Sequence, residues 1–379
     1  LGFVVVWVRV RVRVRVRDLS HSGSSFKWIY SLICLTVNGF LCLLFLPNQS
    51  SAEPFVPQWE DNSKETLLLV WVHPFGARIN IPDCWERLGM RGCKVTDDRS
   101  RYTQADAVLI HHRDICCGGT HLPPKPRPPG QKWIWFNFES PTHAPQLWKY
   151  EGIYNLTLSY REDSDVAMPY GCLIQNALVN KVPFGHYAVP LGGSSASPTE
   201  LHRPHLVAWV VSNWSESHAR VAFYKLLKQH IQVDVFGAAG RPLSHDGTVL
   251  VDLIKQYRFY LAFENSQHTD YITEKLWNAV RGGAIPVVLG PSRKNYERFL
   301  PPEAFIHVDD FPTAQDLAQY LLKVKDSPSL IEKHLSWRKN YSLYRSSWCT
   351  DHYCTACMAA KRRKGKVDVV KNLNEWFLS

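Results

Sequence analysis

Short apolar runs recur along the chain, and between them lie segments in which apolar residues return every three or four positions. A run that is apolar at almost every position predicts a strand buried on both faces, whereas the longer spacing predicts an amphipathic helix. Alternation of the two patterns is typical of parallel sheets covered by helices, so the sequence predicts an α/β fold. The predicted strands lie at 66–72, 105–112, 132–138, 155–160, 205–212, 232–237, 256–263, 284–290 and 304–310, and two of the predicted helices lie at 217–230 and 313–326.

The strands fall into two groups, one on each side of a stretch rich in glycine, serine and proline at 191–204. This composition is typical of a linker. It predicts two α/β domains, at 66–195 and 205–345, joined by residues 196–204. Because ligands of such folds bind beyond the carboxyl ends of the strands, the cleft between the domains is the candidate site.

Residues 28–46 carry no charged side chain. A helix of that length, at about 1.5 Å per residue, nearly spans a hydrocarbon core of about 30 Å. Basic residues precede the stretch and acidic residues follow it, which predicts a single signal-anchor with the bulk of the chain in the lumen. A cleaved signal peptide is disfavoured by the length of the apolar run. Residues 1–27 are assigned to a low-complexity cytosolic tail and residues 47–65 to a stem.

Two features beyond the predicted anchor agree with the secretory pathway. The number of cysteines there is even, which permits disulfides in an oxidising lumen. Four N-x-S/T sequons lie there: Asn48 is close to the predicted membrane, and Asn155, Asn213 and Asn340 are the candidate N-glycosylation sites.

Much of the formal net charge of +10 lies in the Val-Arg repeat before the predicted anchor, so the rest of the chain is only mildly basic. The mild basic bias of the remainder fits a small anionic ligand better than nucleic acid, which would require a dense basic stripe. The chain also lacks the glycine-rich fingerprints of simple dinucleotide and ATP sites.

The segment 263–280, "FENSQHTDYITEKLWNAV", is the most polar stretch between two predicted buried strands. With Asp270 as N-cap, a helix running to about Val280 would carry Tyr271, Glu274, Lys275 and Asn278 on one polar face. A helix N-terminus and a lysine suit a phosphate group. The alternative is an ordinary amphipathic helix with a surface Glu–Lys pair.

Two further polar residues, Glu264 and Asn265, stand at the end of the preceding predicted strand. Their side chains accept and donate hydrogen bonds, as sugar hydroxyls require. Together with the predicted phosphate-binding helix, they indicate a nucleotide-sugar site.

Glu139 stands where the aromatic run "WIWFNF" ends. A carboxylate beyond a buried strand is partly desolvated and suits the removal of a proton from an acceptor hydroxyl. The alternative is that Glu139 caps the turn formed by the serine, proline and threonine that follow.

Asp163 and Asp165 form a D-x-D pair, whose hard oxygen ligands can hold a divalent cation against a diphosphate. This pattern predicts a metal-dependent glycosyltransferase as one alternative. A salt-bridged loop around Arg161 is the other interpretation of the same residues.

Four stretches, "WIWFNFESPTH", "WVVSNWSESHARVAFY", "FENSQHTDYITEKLW" and "AIPVVLGPSRKNYERF", resemble the Golgi α-1,3-fucosyltransferases of glycosyltransferase family ten. The members that look most alike are the N-acetyllactosamine-type enzymes making Lewis x and sialyl Lewis x. The resemblance implies a GT-B fold of two Rossmann-like domains, with residues 346–379 as a tail crossing back to the first. It also implies a type II Golgi membrane protein with a lumenal catalytic domain.

The implied reaction is an inverting transfer of fucose from GDP-β-L-fucose to the 3-hydroxyl of N-acetylglucosamine in glycoproteins and glycolipids. No cofactor is required, and a divalent cation would at most stimulate. Residue matches imply Glu139 as the catalytic base. They also imply donor contacts at Asn265, Tyr271, Glu274, Arg220 and Lys275, of which Arg220 and Lys275 bind the diphosphate. A membrane-anchored lectin without turnover is the non-enzymatic alternative.

The resemblance also implies two disulfides, Cys84–Cys354 and Cys93–Cys357. It leaves four cysteines without assigned partners, namely Cys116, Cys117, Cys172 and Cys349. The chain departs from some relatives at Ala77, where they carry an amide thought to contact the acceptor.

Overall fold

The computed structural model of the protein describes residues 65–182, 185–192, 203–243 and 247–379. The predicted cytosolic tail and signal-anchor, nearly all of the stem and most of the linker lie outside these residues. Within them, no helix is both long enough and apolar enough to cross a membrane.

Six parallel strands come from the first half of the chain: β1 (Thr66–Val70), β2 (Cys93–Thr96), β3 (Ala107–His111), β4 (Lys132–Phe136), β5 (Leu156–Ser159) and β6 (Val166–Ala167). They form one sheet in the order β2-β1-β3-β4-β5-β6. β1, β3, β4 and β5 fall within predicted strands. β2 is absent from the prediction because only one of its four residues is buried, so it lacks an apolar run.

Two short strands follow, β7 (Cys172–Gln175) and β8 (Val189–Pro190), and then five parallel strands, β9 (His205–Val210), β10 (Asp234–Phe236), β11 (Tyr257–Phe263), β12 (Ile285–Leu289) and β13 (Ile306–His307). The five form a second sheet in the order β10-β9-β11-β12-β13. Each of them overlaps a predicted strand. The two parallel sheets confirm the α/β fold that the periodicity predicts.

A third, antiparallel sheet is not predicted from the sequence. It places β14 (Tyr341–Tyr344) between β7 and β8. β14 lies far from both partners in the sequence, so there is no hairpin turn from which the pairing could be predicted. The sheet brings the segment after the second set of strands back beside the segment that follows the first.

The helices in the described residues are α1 (Cys84–Leu88), α2 (His112–Cys116), α3 (Ala219–Leu227), α4 (Gly247–Ile254), α5 (Glu274–Gly282), α6 (Arg293–Tyr296), α7 (Ala314–Lys325), α8 (Pro328–Leu335), α9 (Thr350–Arg362) and α10 (Leu373–Leu378). α9 packs against β1 and β2. In α10, the ring of Phe377 lies 4.8 Å from the ring of Trp135 in β4. Residues 350–379 therefore complete the core of the first sheet.

The cysteines only partly follow the implied pairing. A disulfide joins Cys84 at the start of α1 to Cys354 in α9, with their Cα atoms 5.3 Å apart. The second implied bridge is wrong for this structure, because Cys93 and Cys357 are free. The thiol of Cys357 donates to the carbonyl of Thr66 at 3.5 Å, and its pKa is raised by a hydrogen bond with Cys93 and by burial. The two thiols are therefore in contact but not bonded to each other in this structure.

Among the four cysteines without assigned partners, Cys116 is joined to its neighbour Cys117 by a disulfide at the end of α2. Cys172 and Cys349 are buried and free.

Candidate active site

The charged segment after β11 becomes helical later than the sequence predicts. Asp270 has a positive φ of 60° and lies before α5, whose N-cap is Thr273. The carboxylate of Glu264 explains the difference. It accepts hydrogen bonds from the Thr273 N–H at 2.8 Å and from the Thr273 hydroxyl at 2.8 and 3.0 Å. A buried glutamate at the end of β11 therefore fixes the start of the helix.

Lys275, in the first turn of α5, lies between two carboxylates. Its Nζ is 3.2 Å from Oε2 of Glu264 and 3.1 Å from Oε1 of Glu274. Burial opposes the protonated amine, but the two carboxylates outweigh it and raise the pKa of Lys275. The Glu264 side chain is fully buried, whereas 46% of the Glu274 side chain is exposed. A ligand can therefore displace Glu274 without stranding a buried charge.

Arg220, in the first turn of α3, is a buried cation that forms no salt bridge with any residue that the structure describes. Its side chain donates through Nη2 to the carbonyl of Asn213, and its Nε has no hydrogen-bond partner. Glu264 and Glu274 act on it electrostatically, but both form their salt bridges with Lys275. Burial consequently lowers the pKa of Arg220.

A buried guanidinium of this kind costs free energy unless an anion pairs with it. It also stands at the N-terminus of a helix, which favours negative charge. The surroundings of Arg220 therefore suit an anionic group supplied by a ligand.

Glu139 stands just beyond β4, at the carboxyl edge of the first sheet. Phe136 and Phe138 before it are buried, and Glu139 itself is half-buried. Its backbone carbonyl accepts from Asn137 Nδ2 at 2.9 Å, but no described residue donates to its carboxylate. The turn that follows has Ser140 at its N-cap and no side-chain cap. The capping interpretation of Glu139 is therefore wrong, and its carboxylate is available to a ligand.

Two hydrogen bonds join the halves of the protein beside Glu139. Ser266 Oγ donates to Ser140 Oγ at 2.7 Å, and Thr142 Oγ1 lies 2.7 Å from His268 Nε2. Because Ser140 follows Glu139 and Ser266 follows Asn265, this contact brings together the two segments that carry these predicted site residues. Neither serine is predicted from the sequence. The only signal was that each directly follows a candidate residue at a strand end.

Tyr271 connects the two sets of charges. Its ring is buried and lies 5.2 Å from the ring of Tyr160 in the first half of the chain. Burial raises the pKa of Tyr271, and the carboxylates of Glu264, Glu139 and Glu274 add to this, whereas Arg220 opposes it. Glu139 from the first half and Arg220 from the second therefore act on the same hydroxyl. Glu139, Glu274 and Arg220 therefore lie in the neighbourhood of Tyr271.

Two details of the predicted helix need correction. Asn278, expected on its polar face, is buried and accepts a hydrogen bond from Arg345 Nη1 at 3.0 Å. Tyr271 precedes the helix, so the polar face reduces to Glu274 and Lys275. Glu264 does not present its carboxylate to sugar hydroxyls, because Thr273 and Lys275 occupy both oxygens.

The D-x-D pair is divided between separate structural partners. Asp163 accepts from Nε and Nη2 of Arg161, each at 2.8 Å. Asp165 accepts from the N–H and hydroxyl of Thr157 at 2.9 and 3.0 Å. The salt-bridged loop, rather than a metal site, therefore describes these residues. No cluster of metal-ligating side chains occurs in the part of the chain that the structure describes.

The three candidate glycosylation sites differ in accessibility. Asn213 and Asn340 are exposed. Asn155 is half-buried, and its Nδ2 donates to the carbonyl of Asp368 at 2.7 Å. One amide hydrogen of Asn155 remains outside that bond, so glycosylation at all three positions stays a prediction.

A cavity of about 500 Å³ opens beside the cleft, between residues 267–269 and the start of α6. It contains two cationic side chains, Lys294 and Arg298. Arg298 is already paired with Asp270, at 3.1 Å, and with Glu162. For an anion, this cavity is therefore a weaker site than the surroundings of Arg220.

Comparisons with known proteins cover both halves of the chain. The family model "Glycosyltransferase family 10 (fucosyltransferase) C-term" matches residues 201–376, and "Fucosyltransferase, N-terminal" matches residues 63–171. The chain is 41% identical to human alpha-(1,3)-fucosyltransferase 4 over 386 residues, which is 91% of this chain and 69% of that protein. It is also 41% identical to 4-galactosyl-N-acetylglucosaminide 3-alpha-L-fucosyltransferase 9 of Rattus norvegicus over 364 residues, which is 92% of this chain and 96% of that protein.

The fold matches a solved structure as well. An alpha1,3-fucosyltransferase crystallised with GDP-fucose superposes with a TM-score of 0.52 at 16% identity, covering 86% of this chain and 96% of that one. At that identity the likeness shows the fold, a GT-B-type parallel-sheet α/β fold. The two family models and the relatives carry the assignment further: the chain belongs to glycosyltransferase family 10, the fucosyltransferases.

Proposed function

We propose that the protein transfers L-fucose from GDP-β-L-fucose to the 3-hydroxyl of N-acetylglucosamine in N-acetyllactosamine, with inversion at the anomeric carbon. The observation that carries this proposal is a buried Arg220 that forms no salt bridge with a described residue, together with a Glu139 carboxylate that also acts on the hydroxyl of Tyr271. A relative that is 41% identical is named for a 4-galactosyl-N-acetylglucosaminide acceptor, which supports the choice of acceptor.

The donor diphosphate binds between the N-termini of α3 and α5. Arg220 supplies a guanidinium without a salt bridge to any described residue, and Lys275 supplies a second positive charge. Because Glu274 is the exposed partner of Lys275, it moves aside to bind a donor hydroxyl while Glu264 keeps the lysine in place. Asn265, next to the Ser266–Ser140 contact, and Tyr271 supply the remaining donor contacts.

The chemistry is one displacement. Glu139 accepts the proton of the 3-hydroxyl, and the oxygen forms its bond to the anomeric carbon of fucose as the bond to the β-phosphate oxygen breaks. The electron pair of that bond leaves with GDP, where Arg220 and Lys275 stabilise the developing charge. Attack from the face opposite to the phosphate inverts the anomeric centre. No cofactor takes part in this proposal, because Arg220 and Lys275 supply the positive charge that a metal ion would otherwise supply at the leaving group.

The proposal includes a cellular setting. The uncharged stretch 28–46 and the charge bias around it support a type II membrane protein with its catalytic part in the Golgi lumen. Glycoproteins and glycolipids that carry plain or sialylated N-acetyllactosamine are the proposed acceptors.

The direct test is an assay of the protein with GDP-fucose and a panel of plain and sialylated N-acetyllactosamine, with EDTA present. We expect GDP release coupled to a fucosylated product whose new linkage is to the 3-position of N-acetylglucosamine. A lectin would bind the glycans without releasing GDP, and a metal-dependent enzyme would be silent in EDTA.

Replacing Arg220 with glutamine should weaken GDP binding by about 10- to 100-fold, because a hydrogen bond to a charged group contributes about 1.5–3 kcal/mol. The free energy of unfolding without ligand should stay the same or rise, since the variant removes a buried cation that has no carboxylate partner among the described residues. Calorimetric titration with GDP and urea unfolding measure the two effects.

Arg241→Gln is the matched control, because 68% of the Arg241 side chain is exposed. It should leave GDP affinity unchanged. GDP binding of wild-type strength in Arg220→Gln would remove Arg220 from the donor site.

A further inference from the structure

Two large aromatic side chains are exposed on the same side of the first sheet as Glu139. Phe75, in the connection after β1, is 57% exposed, and Trp348, just before α9, is 42% exposed. A continuous row of buried rings links them. The ring of Phe75 lies 5.2 Å from that of His111, which lies 5.4 Å from that of Phe136, and Phe136 lies 6.3 Å from Trp348.

The row is continuous with the proposed catalytic cleft. The ring of Trp348 meets that of Phe138 edge-on at 5.2 Å, and Phe138 directly precedes Glu139. Trp348 therefore contacts the residue that directly precedes the proposed base, whereas Phe75 is linked to Phe138 only through His111 and Phe136.

The backbone at Phe75 is held in a conformation that a non-glycine residue rarely adopts, with φ 58° and ψ 24°. A hydrogen bond from its N–H to Oδ2 of Asp114, at 3.0 Å, keeps it there. The same carboxylate oxygen lies 2.5 Å from Nδ1 of the buried His111. Such strained positions persist only where the surroundings enforce them, and they concentrate at ligand sites.

The backbone next to Trp348 is strained as well, but a different turn holds this ring outward. Cys349 after it has φ 65° and ψ −46°, and the N–H of Thr350 donates to the carbonyl of Trp348 at 2.9 Å. This is a γ-turn of the rare, strained type. The fully buried Asp351 fixes it, because its carboxylate accepts from the N–H of Ser347 at 2.6 Å and from Arg87 Nε at 2.7 Å.

Two separate carboxylates thus hold two exposed aromatic rings outward, although burial of those rings would favour the fold. Sugars present an apolar face of C–H groups, which packs against the face of an aromatic ring. Resting on the proposed function, we propose that Trp348 and Phe75 form the acceptor platform: Trp348 packs on the N-acetylglucosamine that receives fucose, and Phe75 packs on the galactose attached to it. The order follows from the ring contacts, because Trp348 meets Phe138 beside Glu139 and Phe75 meets His111 instead.

The test compares KM for a monosaccharide acceptor, N-acetylglucosamine, with KM for N-acetyllactosamine. Aromatic packing of this kind contributes about 0.5–1.5 kcal/mol, which is a factor of about 2 to 12. Trp348→Ala should raise KM for both acceptors by about tenfold. Phe75→Ala should raise KM for N-acetyllactosamine several-fold and leave KM for N-acetylglucosamine unchanged.

Three controls separate the platform from general damage. Trp148→Ala removes a tryptophan of the first half that is 64% exposed and has no ring contact with the platform, so it should change neither KM. Trp348→Tyr should recover most of the acceptor affinity. KM for GDP-fucose should stay at the wild-type value in all variants.

Direct binding of N-acetyllactosamine to the GDP complex, followed by saturation-transfer NMR, distinguishes this proposal from the proposed function. Loss of the sugar signal in Trp348→Ala supports the platform even where transfer is not detected. Unchanged sugar binding and unchanged acceptor KM in Trp348→Ala would overturn it, as would equal losses for both acceptors in Phe75→Ala. Failure of the wild type to bind GDP would overturn the donor site but not the platform.

Discussion

Glu139→Gln should abolish most fucose transfer and leave GDP affinity close to the wild-type value. A positioned general base contributes about 10²–10⁴ in rate, so kcat should fall by that factor. The substitution keeps the size of the side chain, and no described residue donates a hydrogen bond to the Glu139 carboxylate, so the fold has no need of its charge. Initial-rate assays with N-acetyllactosamine and calorimetric titration with GDP give the two quantities.

Glu151→Gln is the control for this prediction, because Glu151 is an exposed carboxylate in the same half of the chain. It should transfer fucose at the wild-type rate. Wild-type turnover in Glu139→Gln would exclude the side chain as the base. A parallel loss of GDP binding would instead assign Glu139 to the donor site.

Lys275→Met should destabilise the ligand-free protein by about 3–5 kcal/mol, the usual cost of removing one partner from a buried ion pair. The reason is Glu264, which is fully buried, has its pKa raised by burial, and relies on Lys275 and Thr273 for its neutralisation. Urea unfolding without GDP measures this change.

The double variant Glu264→Gln with Lys275→Met should recover most of that stability, since no buried charge remains unpaired, yet it should not recover GDP affinity. Lys225→Met is the matched control. Its partner Glu216 is 66% exposed, and loss of such a surface pair costs about 0–1 kcal/mol. A Lys275→Met protein as stable as the wild type would contradict the buried-pair account, and a double variant that binds GDP normally would remove Lys275 from the donor site.

The two sheets were predictable because their central strands are buried on both faces. β4 and β11, for example, are apolar at all but one position each, and this pattern is visible without any knowledge of the partners. The antiparallel sheet was not predictable, because β14 pairs with strands that are distant in the sequence and its residues show no turn signal.

Within the site, the sequence identified the chemically important residues better than their surroundings. Glu139, Arg220 and Lys275 could be singled out by residue type, position at element ends and family resemblance. The role of Glu264 could not, because it depends on Thr273 folding back over the end of β11. Because of that contact, α5 begins later than predicted, and Glu264 is the counter-ion of Lys275 instead of a ligand for sugar hydroxyls.

Trp348 and Phe75, in contrast, could not be identified from the sequence as candidate site residues. In the sequence, each is one aromatic residue among many, and nothing in the neighbouring letters marks it as exposed. Their outward position arises from carboxylates on other elements, Asp351 for Trp348 and Asp114 for Phe75. The geometry that gives them a function is therefore tertiary.

A crystal structure of the Glu139→Gln variant with intact GDP-fucose tests the central claim most directly. The account predicts that the diphosphate oxygens contact Arg220 and Lys275, and that the residue 139 side chain faces the anomeric carbon from the side opposite to the phosphate. A diphosphate bound instead in the cavity at Lys294 and Arg298, or a residue 139 side chain turned away from the fucose, would contradict it.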